Sequence, residues 1–160
     1  MVHFSSELAA DVFAFTERVL ERTALGRAAI TGMTGEFCPA NVLVDGERLS
    51  VLDFGMSTLG VSLSDPAQFY NHLEMLRHKP IYRPMLVREL QRGFLDGYGR
   101  PDLETDSLFA LYRIRFKLSR MEATSGRKWP SFGPVRRAFY RRVWRLQKRE
   151  ICHLLKNHER

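Results

Sequence analysis

The chain has 160 residues, of which 44 % are hydrophobic and 27 % charged, a length and composition typical of one soluble globular domain with its own core. Its apolar runs stay short of the roughly 18 residues that a membrane-spanning helix needs, and its N-terminus lacks a signal-peptide pattern. The formal net charge of +7 is uneven: residues 1–99 hold 9 Lys and Arg against 12 Asp and Glu, whereas residues 100–160 hold 16 against 6.

The first predicted element is a helix over residues 5–23. Leu8, Val12, Phe15 and Val19 recur at the helical period, and Ser5 or Ser6 can cap its N-terminus.

The next stretch, residues 34–55, is the most informative about function. Glu36 precedes Asn41 by five positions, and Leu52-Asp53-Phe54-Gly55 follows. In kinase-type phosphoryl transfer, an Asp in a D-x-x-x-x-N loop orients the attacking hydroxyl, while that Asn and the Asp of D-F-G hold the Mg²⁺ ions. Residue order and spacing fit this pattern, except that the first carboxylate is a Glu.

A β-hairpin is predicted between these two motifs. Residues 42–44 and 49–52 are β-prone and flank Asp45-Gly46-Glu47-Arg48, where Asp-Gly favours a turn. A four-residue loop pairs Val44 with Leu49 and Asn41 with Leu52. Asn41 and Asp53 would then lie at the same open end of the hairpin, as two oxygen ligands suited to Mg²⁺.

Helices are predicted for most of the remaining chain. The first begins at Asp65-Pro66, with Asp65 as its N-cap, and runs to about Arg77. Later helices span about Met85–Asp96, about Thr105–Thr124 and residues 135–156, with a turn-rich connector over residues 126–134. The residues expected to face inward are Phe69, Leu73 and Leu76 in the first of these helices and Val135, Phe139, Val143, Leu146, Ile151 and Leu154 in the last. The fold class is therefore α+β and mainly α, with a small hairpin packed on a helical bundle.

The motifs resemble the C-terminal lobe of the aminoglycoside phosphotransferase family, which is related to choline kinases. That family carries H-G-D-x-x-P-x-N, a hairpin, and then I/L-D-F/W-G/E. The matching positions are Thr34, Gly35, Glu36, Pro39 and Asn41, then Leu52, Asp53, Phe54 and Gly55. Ser64–Phe69 and Gly93–Tyr98 are similar to two further segments of the family.

The resemblance implies a protein-kinase-like fold and ATP- and Mg²⁺-dependent phosphoryl transfer to a small-molecule hydroxyl. Glu36 would be the catalytic carboxylate, and Asn41 and Asp53 would bind the cofactor and metal. Thr34 and Glu36 replace the family's His and Asp, and Cys38 replaces another frequent His. Because a misplacement of about 1 Å can cost on the order of 10²-fold in rate, the longer Glu36 predicts impaired catalysis.

A kinase N-lobe supplies a Gly-rich loop and a strand Lys. The sequence contains no G-x-G-x-x-G pattern or P-loop, and no Lys precedes Lys79, so we expect both features to be missing. We expect a single domain over residues 1–160: a leading helix (1–27), the catalytic-type loop, hairpin and D-F-G (28–56), and a helical subdomain (57–160). The chain is then a fragment, receives its N-lobe from another chain, or has lost the activity. Apolar surface around the hairpin would be exposed and would favour self-association.

The last helix is strongly basic, with Tyr140 and Trp144 among its cations Arg136, Arg137, Arg141, Arg142, Arg145, Lys148 and Arg149. Three interpretations stay open: a solvated face, a surface for nucleic acid or an anionic membrane, and a site for a polyanionic substrate. Arg113, Arg115, Lys117 and Arg120 cannot share one face and are expected to be structural or solvated.

Two hypotheses about function follow. The first is a small-molecule kinase that is impaired or incomplete as an isolated lobe. The alternative is an inactive pseudoenzyme or a basic binding module. Two unpaired thiols, Cys38 and Cys152, favour a reducing cytoplasm over a secreted scaffold, and no cysteine and histidine spacing indicates zinc.

Overall fold

The computed structural model describes residues 5–23, 29–124 and 133–158. Its helices are α1 (Ser6–Arg22), α2 (Ser64–Met75), α3 (Pro84–Gly97), α4 (Ser107–Ala123) and α5 (Pro134–Asn157). Its strands are β1 (Ile30–Met33), β2 (Val42–Asp45), β3 (Arg48–Val51) and β4 (Thr58–Val61), and short 3₁₀ turns span Pro39–Asn41, Leu76–His78 and Pro101–Thr105. The predicted α+β, mainly α class is confirmed.

The predicted helices form close to their expected bounds. Ser5 caps α1 by accepting a hydrogen bond from the Leu8 amide at 3.3 Å, and Leu8, Phe15 and Val19 are buried as the period predicts. The connector predicted for residues 126–134 lies almost wholly outside the described residues. No helix in the described ranges is both long and apolar enough to cross a bilayer.

The start of α5 differs from the prediction. The sequence predicts that Val135 and Phe139 face inward, but they are 83 % and 45 % exposed. The first two turns of α5 lie outside the core, and the first buried residue of this helix is Val143. Trp144 is buried and donates its ring N–H to the Thr124 hydroxyl at 3.1 Å. Of the two aromatic residues among the cations, Trp144 therefore belongs to the core.

The strands form two small antiparallel sheets. Val44 pairs with Leu49 in the β2–β3 hairpin, as predicted, although the connecting turn is the two residues Gly46 and Glu47. Gly46 has a φ of 59°, which suits the first central position of a type II′ turn.

The second sheet pairs β1 with β4 and is not predicted by the sequence pattern. Ile30 lies opposite Val61, and Met33 lies opposite Thr58. Residues 34–57 therefore form a closed excursion whose two ends are held together by β1 and β4.

The core consists of two apolar clusters that share α4. Ala110 and Ile114 pack with α1 and α5, in a cluster that includes Phe15, Trp144 and Ile151. Phe109 packs with α2 and α3 through Tyr70 and Leu95. Helix α4 thus connects the helices that surround it.

Charged residues on three helices also contact one another in the interior. Glu74 on α2 accepts hydrogen bonds from Arg113 at 3.1 Å and from Lys117, both on α4. Lys117 also contacts Glu150 on α5 at 2.7 Å. Burial alone would raise the pKa of Glu74, but Lys117 and Arg113 hold it at about 2. We call Glu74, Arg113, Lys117 and Glu150 the ion network; two of the cations expected to be structural or solvated, Arg113 and Lys117, are structural.

Replacing Glu74 with Gln should lower the free energy of unfolding by about 3–5 kcal/mol at pH 7, because two buried cations lose their shared anion. Since the folded-state pKa of Glu74 lies below its ordinary value of 4.5, its contribution is complete above pH 4.5 and is lost as the pH falls towards 2. Urea denaturation between pH 3 and pH 7 should therefore show a flatter pH profile for Glu74→Gln. The control is Glu89→Gln, an exposed carboxylate on α3; equal effects of the two substitutions would contradict the role of the ion network.

Candidate active site

The loop that contains Glu36 packs against the segment that follows Asp53. Gly35 has a φ of 80°, and a Cβ at this position would lie 2.3 Å from the carbonyl oxygen of Met56. Only glycine fits this close approach with this backbone conformation. The contact brings together the two halves of the sequence motif.

Asp65 ties the same loop to the helical part of the fold. Its Oδ2 accepts hydrogen bonds from the Thr34 amide at 2.6 Å and the Thr34 hydroxyl at 3.0 Å. Asp65 lies in the first turn of α2, whereas the N-cap is Leu63 and makes no side-chain hydrogen bond. The prediction that Asp65 caps this helix is therefore wrong, because its carboxylate accepts hydrogen bonds from Thr34, 31 residues earlier in the chain.

An aromatic stack holds the other side of the loop. Phe37 packs on Phe69 of α2 with ring centroids 4.6 Å apart, and Phe69 stacks on Phe94 of α3 at 4.7 Å. Phe94 in turn stacks on Tyr98 at 6.2 Å. The two downstream segments noted in the sequence, Ser64–Phe69 and Gly93–Tyr98, thus meet beside the loop.

The predicted metal ligands lie at the open end of the hairpin. The Leu52 amide donates to the Asn41 carbonyl at 2.8 Å, which extends the β2–β3 pairing as predicted and sets Asp53 one residue beyond it. The side-chain nitrogen of Asn41, Nδ2, donates a hydrogen bond to the backbone carbonyl of Glu36 at 3.0 Å. The side-chain oxygen of Asn41 is left for another partner. Asp53 is exposed and has a φ of 61°, a left-handed conformation that costs free energy in a residue other than glycine.

Asn41 and Asp53 fit Mg²⁺ through their chemistry, since both offer oxygen atoms. Among the described residues, no group of three or more His, Cys, Asp or Glu could hold a metal ion. Two protein ligands suit Mg²⁺, which completes its coordination with nucleotide phosphates and water.

Glu36 is exposed at the edge of a cleft of about 430 Å³ between α2, α4 and α5, which we call the acceptor cleft. Gln68 and Asn71 of α2 line it, and the side-chain oxygens of both are buried without a hydrogen-bond partner. The Asn71 amide nitrogen donates to the Arg113 carbonyl at 2.9 Å, which fixes the side chain. Sequence patterns could not identify either residue, because polar positions on a helix carry no motif.

Two histidines of α2 and its 3₁₀ turn also line the acceptor cleft. Burial lowers the pKa of both His72 and His78, and nearby cations, Arg120 for His72 and Lys117 for His78, lower it further. Both side chains are therefore neutral at pH 7 and can accept as well as donate hydrogen bonds.

Many apolar side chains of the two sheets and the segment between them are exposed. Their exposed fractions are between 45 % and 76 %: Ile30, Leu43, Val44, Leu49, Leu52, Phe54, Met56 and Leu59. The sequence predicts exposed apolar side chains around the hairpin, and these residues are exposed there.

Gly35→Ala should lower the free energy of unfolding by about 1–3 kcal/mol, because the new methyl group meets the Met56 carbonyl and the backbone conformation is strained. Gly46→Ala is a matched control, since Gly46 also has a positive φ but a Cβ there meets nothing within 4 Å. Urea denaturation should show the larger loss for Gly35→Ala. Equal losses would mean that the close approach to Met56 contributes nothing.

Comparison with known proteins agrees with the resemblance seen in the motifs. The profile of the phosphotransferase enzyme family (APH) matches residues 3–105, which include α1, both sheets, α2 and α3. Searches of curated proteins and of solved structures gave no significant match. Because the profile covers more than half of the chain and contains the Glu36, Asn41 and Asp53 positions, the chain belongs to the phosphotransferase enzyme family.

Proposed function

We propose that this chain is the C-terminal, kinase-like lobe of a small-molecule kinase that transfers a phosphoryl group from ATP to a substrate hydroxyl. The observation that carries the proposal is the pairing of Asn41 with Leu52, which brings Asn41 and Asp53 to one end of the hairpin. The hydrogen bond from the Asn41 side chain to the Glu36 carbonyl links this end of the hairpin to the loop that contains Glu36.

The Asn41 amide oxygen and the Asp53 carboxylate would hold Mg²⁺ together with the ATP phosphates. When bound, the ion neutralises phosphate charge that develops during transfer. The protein's part is to place these two residues at one end of the hairpin, through the backbone pairing at Asn41 and the backbone conformation of Asp53. Fixed ligands stabilise the transition state without reorganisation during the reaction.

Glu36 would orient the substrate hydroxyl and accept its proton. Its carboxylate is exposed beside the acceptor cleft, so a substrate can reach it from there. Gln68 and Asn71 offer unpaired acceptor oxygens to the same cleft, which favours a substrate that donates several hydrogen bonds, such as a polyol or an amino alcohol. The extra methylene of Glu36 relative to Asp predicts a slower reaction.

A second protein element would cover the exposed apolar side chains of the sheets in the working enzyme. The number of such side chains in the hairpin and β4 supports this, because extensive exposed apolar surface marks an interaction site. An N-terminal lobe that carries the phosphate-covering loop is the occupant that the kinase mechanism requires. A second copy of this chain is the alternative.

The experiment that tests the proposal is calorimetric titration of ATP into the protein with and without Mg²⁺. We expect binding that needs Mg²⁺ and that weakens at least about tenfold, or about 1.4 kcal/mol, in Asp53→Asn. Asp45→Asn makes the same change at another exposed Asp, in the hairpin beside its turn, and should bind as the wild type does. Binding that is independent of Mg²⁺, or equal in both variants, would contradict the assignment, as would no binding at millimolar ATP.

The first half of α5 is basic and favours a second candidate function, a surface for nucleic acid or an anionic membrane. Arg137, Arg142 and Arg145 are exposed in this half, as are Val135 and Phe139. Affinity for duplex DNA or anionic vesicles that falls steeply with salt would support this function. Affinity that does not change with salt would count against it.

A further inference from the structure

A second cleft lies on the other side of α2, away from Glu36. It has a volume of about 490 Å³, and we call it the α2–α3 cleft. Its lining residues are Arg77, Arg88, Gln91, Arg92, Leu95, Asp96, Pro101 and Glu104, none of which lines the acceptor cleft.

Helical geometry explains the separation of the two clefts. Gln68, Asn71 and Met75 follow the three- and four-residue spacing of one helix face and line the acceptor cleft. Tyr70 lies on the opposite face from Gln68, and this face continues into Arg77 of the following 3₁₀ turn. Glu74 is three residues after Asn71 and lies between the two faces. Glu74 is held in the ion network between the two sides.

Three arginines line the α2–α3 cleft, against two carboxylates, Asp96 and Glu104. Arg88 and Arg92 are one turn apart on α3 and exposed, and Arg77 contributes from the 3₁₀ turn that follows α2. In the described part of the chain, neither Arg88 nor Arg92 forms an ion pair, and Arg77 lies 4.0 Å from its carboxylate partner Glu74. Of the two acidic lining residues, Glu104 accepts a hydrogen bond from Tyr70. Asp96 is exposed one turn after Arg92 on α3 and offsets part of the positive charge.

Gln91 provides an independent indication of a ligand. This side chain is only 3 % exposed, and its Oε1 accepts a hydrogen bond from Arg77 Nη2 at 3.0 Å, which fixes the orientation of the amide. Gln91 Nε2 and Arg77 Nε are both buried without an acceptor. Since buried donors are nearly always paired, these two neighbouring groups lack an acceptor that a bound anion would supply.

We propose that the α2–α3 cleft binds a small phosphate-bearing molecule, with Gln91 and Arg77 donating to its phosphate oxygens and Arg88 and Arg92 balancing its charge. Guanidinium groups match the geometry of phosphate oxygens, and the cleft volume exceeds that of a phosphate group alone. An adjoining cleft of about 580 Å³ shares Arg77, Arg88 and Glu104 and has a mixed lining that includes Arg149 and Glu150, so the rest of the ligand has room to extend.

The test is a titration of the whole chain with pyrophosphate, without metal ions, followed by NMR of the side-chain N–H groups. We expect saturable shifts of the Gln91 amide and Arg77 Nε–H signals, with affinity reduced at least tenfold in the double variant Arg88→Gln/Arg92→Gln. Both substituted residues are exposed, so the fold should be unaffected. Gln91→Leu, which removes the buried donor, should weaken binding as well.

The matched control is Lys79→Gln/Arg83→Gln, which removes two exposed positive charges close in sequence but outside the lining of the cleft. This variant should bind pyrophosphate within about twofold of the wild type. Equal weakening in the two double variants would overturn the proposal in favour of general charge attraction. No saturable shift, shifts confined to the Asn41 and Asp53 region, or tighter binding of citrate than of pyrophosphate would overturn it too.

Discussion

The closed excursion between β1 and β4 is the constraint on which the candidate active site depends. Its ends are paired at Met33 and Thr58, and inside it the absence of a side chain at Gly35 lets the two motif segments touch. Asp65 then fixes the excursion to α2 through both hydrogen bonds to Thr34. Backbone pairing and one carboxylate therefore position the three motif residues, all of which lie within this excursion.

Helix α2 joins this site to the rest of the protein. Its N-terminal turn holds the catalytic-type loop, one of its faces lines the acceptor cleft, and the opposite face leads to the α2–α3 cleft. The ion network fixes the helix between these surfaces, because Glu74 is bonded to two cations of α4. Removing one member of such a network is strongly destabilising because it leaves buried charges unpaired, so the network holds α2 against α4 and α5.

Local patterns were sufficient to predict much of this structure. The period of Leu8, Phe15 and Val19 predicts α1, and Asp45-Gly46 predicts the hairpin with its register. The β1–β4 sheet could not be predicted, because its strands are four residues long, each contains a glycine, and they lie far apart in the chain. The partner of Asp65 and the acceptors at Gln68 and Asn71 depend on tertiary packing, which no local pattern records.

The central claim is that residues 34–57 form a site prepared for a metal–nucleotide complex. Paramagnetic broadening by Mn²⁺–ATP tests it most directly, because Mn²⁺ also prefers oxygen ligands and broadens the NMR signals of nearby nuclei. We expect the backbone amide signals of Glu36, Asn41 and Asp53 to broaden first, while those of α3 and the start of α5 stay sharp. Broadening that spares these three residues, or that spreads evenly over the chain, would contradict the claim.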